Sequence, residues 1–185
     1  MKTFFTAKRL CRAGLIAGLY VALTLAFGPL PYLGVLQIRP AEALCVLPLF
    51  FVEAIPALYI GCMIANAFSP FWVYDVFIGS LATLFASVCT YLVGNFLKNE
   101  RWKATVGCIF PVLFNAIIIP IIIVFLCGEG VNGAVGWSAY FASMLSIAFT
   151  ESVWVYALGL PIVSVIKRLR NRGVSAFTDD LPLKK

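Results

Sequence analysis

Glu42, Asp75 and Glu151 are carboxyl groups set in long apolar stretches, and Asn66 and Asn115 are amides in similar surroundings. A charged side chain at the centre of a bilayer costs on the order of 3 kcal/mol, so each such group calls for a partner or a purpose. Carboxylates accept hydrogen bonds, amides donate and accept, and aromatic faces stack on flat rings. Together these groups suit a planar ligand rich in polar edges. Tyr32, Trp72, Tyr74, Trp137 and Tyr140 supply rings near the same ends of the apolar stretches, where interfacial anchoring is their ordinary role. Arg39 stands one turn before Glu42, placed either to pair with it or to touch a ligand.

Other chemistry is harder to build. The chain has no histidine, which removes Ser-His catalysis, histidine-ligated haem and the usual zinc sites. Its six cysteines are scattered without a CxxC pair and read as buried small hydrophobes. There is no HExxH, no nucleophile beside a base and no GxxxxGK[ST] phosphate loop. No catalytic residue, metal or cofactor is expected, and active transport would draw its energy from another chain or an ion gradient.

The elements that must position these groups follow from composition. Of 185 residues, 62% are hydrophobic and 12% charged, with a mean hydropathy of +0.99. A soluble core of this size could not hide so much apolar surface, so the class is an all-α integral membrane protein. The basic start and following apolar run read as a retained span rather than a signal peptide. The first span covers about residues 13–30 and carries small residues at four-residue spacing (Gly14, Gly18, Ala22), with Ala13 and Ala17 beside them. Small residues let a second helix approach closely in lipid.

Pro40 suits a first helical turn, which makes Glu42 a first-turn charge favoured by the helix dipole. Residues 41–68 form either one long helix or two short ones meeting near Glu53-Ala54-Ile55-Pro56. Charge decides for the hairpin, because only then do the 98–103 loop and the basic tail share the side of the amino terminus. Glu53 then lies at the inner turn as an interfacial group. Further spans cover about 73–97, 105–126 and 137–166, giving six transmembrane helices with both termini cytoplasmic. One domain results: a basic start at 1–12, a bundle at 13–166 and a basic tail at 167–185. Arg39 becomes the lone outer arginine. Glu151, fourteen residues past Trp137, sits about 21 Å along its helix, too deep to reach water. It is either a hydrogen-bonded packing group or a substrate or proton site. The tail, and a pI near 9.1, point to anionic lipid rather than nucleic acid.

Gln37-Ile38-Arg39-Pro40-Ala41-Glu42-Ala43-Leu44, Leu47-Pro48, Glu53-Ala54-Ile55-Pro56-Ala57-Leu58, Gly61-Cys62-Met63-Ile64-Ala65-Asn66, Asp75-x-x-x-Gly79-Ser80-Leu81-Ala82-Thr83 and Gly159-Leu160-Pro161 form an ordered series. That series resembles the QueT family of queuosine-precursor transporters. The resemblance implies the substrate-binding S component of an energy-coupling factor (ECF) transporter, an ABC-type importer in a prokaryotic cell membrane. Its partners would be a transmembrane T component and two ATPase subunits. The ligand would be a 7-deazaguanine precursor of queuosine, or queuine, and the first-span stripe at Ala13, Gly14, Ala17 and Gly18 would meet the T component. The expected ligand groups are Glu42, Asp75 and Glu151 as acids, Asn66 and Asn115 as amides, Arg39 as the loop group, and Trp72 or Trp137 as stacking rings. An S component for another vitamin, and a stand-alone proton-coupled carrier using Glu151, remain alternatives.

Overall fold

The computed structural model describes residues 6–33, 37–97, 99–128 and 135–174, without the side chains of Trp72, Glu100 and Arg101. The basic groups expected inside at Lys2, Lys98, Lys184 and Lys185 lie outside the described residues, as do Gly130 and Gly133 of the glycine-rich loop.

Every regular element among the described residues is helical. Helix α1 (Ala7–Ala26) buries Ile16, Tyr20 and Thr24, one residue per turn, and turns Leu10, Leu15 and Leu19 outward. It starts about two turns before the expected position and stops at Phe27, after which Gly28 reverses the chain at φ +57°. A positive φ is costly for side chains with a Cβ and free for glycine.

The chain then enters a 3₁₀ helix, Pro40–Leu49, with Arg39 as its N-cap. Pro40 starts it as the sequence predicts, and Pro48 denies the second half an N–H. Residues 40–48 are all buried, because α1, α4, α5 and α6 pack around this segment. A helix apolar all round belongs in an interior, and this one forms the axis of the molecule. The turn at residues 50–53 leads into α2 (Ala54–Asn66), which runs back beside α1.

Here the structure corrects the expectation for Glu53, which is buried rather than idle at the interface. Its Oε1 lies 2.8 Å from Arg12 Nη2, and the same guanidinium sits 4.6 Å above the Phe51 ring. The turn at residues 50–53 is thereby tied to the start of α1. Farther along, a Cβ on Gly61 would lie 3.0 Å from the Ala17 carbonyl oxygen and 3.1 Å from Tyr20 Cβ. The two helices meet backbone to backbone, so Gly61→Val should destabilise the protein by about 1–3 kcal/mol. Denaturant unfolding in detergent checks this, and unchanged stability would contradict the close approach.

Helix α3 (Trp72–Tyr74), a π turn at Asp75–Gly79 and α4 (Ser80–Phe96) make one continuous rod. Helix α5 (Glu100–Ile121) carries Pro111 and Pro120 and continues as a π turn, Ile122–Leu126. Each proline removes a donor from the carbonyl ladder. Thr90 donates to the Gly107 carbonyl, four residues before Pro111, at 3.1 Å, and Tyr140 to the Ile117 carbonyl, near Pro120, at 3.3 Å. Helix α6 (Trp137–Asn171) closes the bundle; its 35 residues extend about 52 Å.

Four helical stretches are long and apolar enough to cross a bilayer: Ala7–Ala26, Asp75–Phe96, Trp102–Leu126 and Trp137–Asn171. Pro40–Leu49 and Ala54–Asn66 are apolar but shorter. At 10 and 13 residues each reaches only about 20 Å of a core about 30 Å thick. The chain is a multi-pass membrane protein.

Candidate functional site

The apolar bundle holds a polar interior. Glu42 enters it from the first turn of the 3₁₀ helix and has no solvent exposure. Its Oε1 accepts from the Tyr20 hydroxyl at 2.5 Å and lies 3.3 Å from Thr83 Oγ1; its Oε2 accepts from Cys45 Sγ at 3.2 Å. Thr83 Oγ1 is also 3.4 Å from Cys62 Sγ, so its single proton serves one acceptor at a time. Three elements thus converge on one carboxylate: α1 through Tyr20, α4 through Thr83 and the 3₁₀ helix itself.

A second group lies where α2 ends and α3 begins. Asp75 is buried where the chain enters the π turn, and Gly79 leaves room for Asn66, whose Nδ2 would be 3.3 Å from a Cβ there. Asn66 Nδ2 donates to the Asp75 carbonyl at 2.8 Å, and Ser69 Oγ to Asp75 Oδ2 at 2.5 Å. Arg39 donates through Nε to the Pro31 carbonyl at 3.0 Å and sets Nη2 3.9 Å from Asp75 Oδ2. Tyr32 donates to the Ala65 carbonyl at 2.6 Å. The segment between α1 and the 3₁₀ helix is therefore strapped to the end of α2 and the start of α3.

Arg39 pairs with Asp75 rather than with Glu42, its neighbour in sequence. The donors from Tyr20, Thr83 and Cys45 occupy the Glu42 oxygens, and the Pro31 carbonyl draws the guanidinium the other way. Burial opposes the charge on Arg39, but Asp75, reinforced by Tyr20, Cys62 and Glu42, outweighs it and raises the pKa above the ordinary arginine value. The guanidinium stays charged at every working pH. Its Nη2 still lacks a hydrogen-bond acceptor among the described residues.

The third group spans α5 and α6. Asn115 Nδ2 donates to Glu151 Oε1 at 3.0 Å, in the 3.6-residue-period stripe of α6 that also buries Ser143, Ile147 and Val155. Asn115 Oδ1, Glu151 Oε2, Ser87 Oγ and Ser143 Oγ are buried and have no partner among the described residues. Buried polar atoms are nearly always satisfied by protein or by water, so these orphans are candidates for contact with a ligand or an ordered water. The 3₁₀ helix that carries Glu42 packs against both α5 and α6. Two of the orphans are fixed acceptors on hydrogen-bonded neighbours, Asn115 and Glu151; two are hydroxyls of either sense; Arg39 Nη2 is a donor.

The structure thus buries Arg39, Glu42, Asn66, Asp75, Asn115 and Glu151 in three polar groups. It does not bring Trp137 to them. That ring is 70% exposed and packs edge-on to Phe125 and Tyr140, at centroid distances of 5.4 and 5.9 Å. The Trp72 side chain lies outside the described residues. Tyr20, Thr83, Ser87 and Ser143 escaped the sequence reading, although Ser80, Thr83, Ser87 and Thr90 recur every three or four residues as a buried polar stripe on α4. In a membrane helix such a stripe is inward-facing, and it was the available signal.

Of the small-residue stripe, Ala13 and Ala17 are half-buried and pack toward the core, whereas Gly14 and Gly18 are exposed with open space at their Cβ positions. A groove of about 420 Å³ runs here between α1 and α2, lined by Arg9, Leu10, Ala13, Gly14, Ala17, Glu53, Pro56, Ala57 and Ile60.

The model of the QueT transporter family matches residues 10–168. A protein of Lactococcus lactis subsp. cremoris (strain MG1363), the queuosine precursor transporter QueT, is 37% identical over 99 residues, which cover 52% of this chain and 57% of that protein. The similarity therefore spans little more than half the relative's length. No solved structure matches the chain. With most of its length matched by the family's model, the chain belongs to the QueT transporter family.

Proposed function

We propose that this chain is the substrate-binding S component of an energy-coupling factor importer, taking up a 7-deazaguanine precursor of queuosine. The observation that carries the reading is the pair of buried acceptors without donors, Glu151 Oε2 and Asn115 Oδ1. A guanine-like edge presents a ring N–H beside an exocyclic amine, and free acceptors on two hydrogen-bonded side chains suit two such donors. Arg39 Nη2, short of an acceptor, suits the ring carbonyl on the same edge. Glu42 closes the interior from the axis, and Asp75 and Asn66 fix the strap that carries Arg39. Trp137 is left an interfacial anchor.

The six-helix topology with cytoplasmic ends accords with the same picture. Arg12 and Glu53 tie the 50–53 turn to the start of α1, while Tyr32, Arg39 and Ser69 tie the opposite ends of the short helices together. The basic groups Lys8, Arg9, Arg12, Lys103 and Lys167 then share one side, as the positive-inside rule requires. Residues 13–166 form the single transmembrane domain. Without a phosphate loop in the sequence, energy comes from two ATPase subunits through a T component. The groove at Ala13, Gly14 and Ala17, with Gly18 above it, is the surface for that component.

Equilibrium binding of the purified protein to 7-deazaguanines, guanine, riboflavin and thiamine tests the substrate. A 7-deazaguanine should bind tightest; tight binding of riboflavin or thiamine with no deazaguanine bound would sink the assignment. Gly14→Leu fills open space at the groove and should leave ligand affinity within about twofold while lowering uptake in the assembled transporter more than about tenfold. Normal uptake by that variant would remove the groove from the coupling surface.

A further inference from the structure

A chain of side-chain contacts crosses two helices and joins the axis of the molecule to the strap. Glu42 Oε1 lies 3.3 Å from Thr83 Oγ1 on α4, Thr83 Oγ1 lies 3.4 Å from Cys62 Sγ on α2, and Asn66 Nδ2, one turn along α2, lies 3.3 Å from the same sulfur. All four side chains are buried. Asn66 Nδ2 also donates to the Asp75 carbonyl at 2.8 Å, and the Asp75 carboxylate holds Ser69 and Arg39. The two ends of the chain fix the direction of the hydrogens between them. An amide nitrogen can only donate and a carboxylate can only accept, so Thr83 gives its proton to Glu42, the stronger acceptor, and its oxygen accepts from the Cys62 thiol. The sulfur in turn accepts from Asn66. Every hydrogen then points toward Glu42, and in such a head-to-tail chain each bond polarises the next.

We infer that Thr83 and Cys62 are positioning residues, a hydroxyl and a thiol that relay hydrogen bonding from the Glu42 carboxylate to the Asn66–Asp75 seat of Arg39. They act through Asn66, whose amide is set by the Cys62 sulfur and by the Asp75 carbonyl. Each middle place needs a group that donates and accepts at once, which a hydroxyl or a thiol does. Valine at 83 or alanine at 62 cuts the chain. The strap is thus held from the interior as well as by the bonds that Tyr32 and Arg39 make to backbone carbonyls.

Hydrogen exchange of the full chain in detergent, with no ligand present, reads the relay at the Ile38 amide, which donates to the Leu30 carbonyl at 3.1 Å within the strap. Thr83→Val keeps the shape of the side chain and removes the hydroxyl, whereas Thr83→Ser keeps the hydroxyl and removes a methyl. Exchange at Ile38 should speed about tenfold in Thr83→Val and in Cys62→Ala, and stay within about threefold of the wild type in Thr83→Ser and Cys62→Ser. The Ile147 amide of α6 should keep its wild-type rate throughout. A packing role alone gives the reverse order at position 83, because serine loses volume and valine does not. Wild-type exchange at Ile38 in either Thr83→Val or Cys62→Ala, or faster exchange in Thr83→Ser than in Thr83→Val, would overturn the relay. Equal speeding at Ile38 and Ile147 would overturn it too, since the loss would then be one of overall stability. Should Thr83→Val fail to fold, Cys62→Ala against Cys62→Ser decides, and equal rates in that pair would contradict the relay.

Discussion

Glu151→Gln is expected to lower affinity for the guanine-like ligand by about a hundredfold or more while the protein stays folded. Glutamine keeps the length of the side chain and an oxygen for Asn115 Nδ2, so the local hydrogen bond at 3.0 Å survives. What changes is the other end, where Oε2 becomes an amide NH2 that faces the ligand's donors with a donor. A lost hydrogen bond to a charged acceptor is worth about 1–3 kcal/mol, and the opposed donors add a repulsion that the wild-type site lacks. Stability should hold or rise, because the change removes a buried carboxyl group that has no basic partner among the described residues. Calorimetry and thermal unfolding on the same preparation separate the two effects. Intact affinity in a folded variant would make Glu151 a packing group.

Glu42→Ala should act mainly on folding, lowering stability by about 3 kcal/mol or more. The carboxylate organises Tyr20, Thr83 and Cys45 from three elements, and its loss orphans those donors in a fully buried place. Each unsatisfied buried group costs about 1–3 kcal/mol, the thiol least, and the emptied volume adds a cavity term. Tyr20→Phe, which removes one donor and leaves the acceptor, should cost about 1 kcal/mol. Denaturant unfolding in detergent measures both. A Glu42→Ala variant as stable as the wild type would show that Glu42 serves the ligand alone.

Local signals are legible in the sequence and distant pairings are not. Pro40 marks a helix start because its fixed φ and missing N–H leave few other places for it, and the helix does begin there with Arg39 as cap. The turn before α2 is legible only approximately: it is expected at residues 53–56 from Pro56, but Ala54, Ile55 and Pro56 form the first turn of α2 and the chain turns at residues 50–53 instead. The 3₁₀ form of Pro40–Leu49 and its place at the axis are not legible, since both depend on the helices that enclose it. The early start of α1 is hidden by Lys8, Arg9 and Arg12, which read as a tail although a helix readily carries basic residues beyond the apolar core.

The site divides the same way. Glu42, Asp75, Asn66, Asn115 and Glu151 stand out because polar groups in lipid are expensive. Their partners do not, because Tyr20 and Glu42 are 22 residues apart, Thr83 and Glu42 are 41 apart, and Asn115 and Glu151 are 36 apart. Only packing decides which of several acids a given arginine or amide will meet. Arg39 shows this most clearly, passing over Glu42 three residues away for Asp75. Serines and threonines in apolar helices stay silent for another reason: they hydrogen-bond to their own helix at little cost, as Ser152 and Ser164 do here, so each alone is uninformative. Their recurrence along one face of α4 carries the information.

In the proposed site Glu151 and Asn115 hold the donor edge of a guanine-like ring. The most direct measurement is a cycle of four affinities: 7-deazaguanine and 7-deazahypoxanthine, which lacks the exocyclic amine, each with the wild type and with Glu151→Gln. Removing the amine should weaken wild-type binding about thirtyfold and binding by the variant less than about threefold, because the amine and the carboxylate are one contact. The same loss in both proteins, or no loss in the wild type, would contradict the claim and move the guanine-like edge away from Glu151.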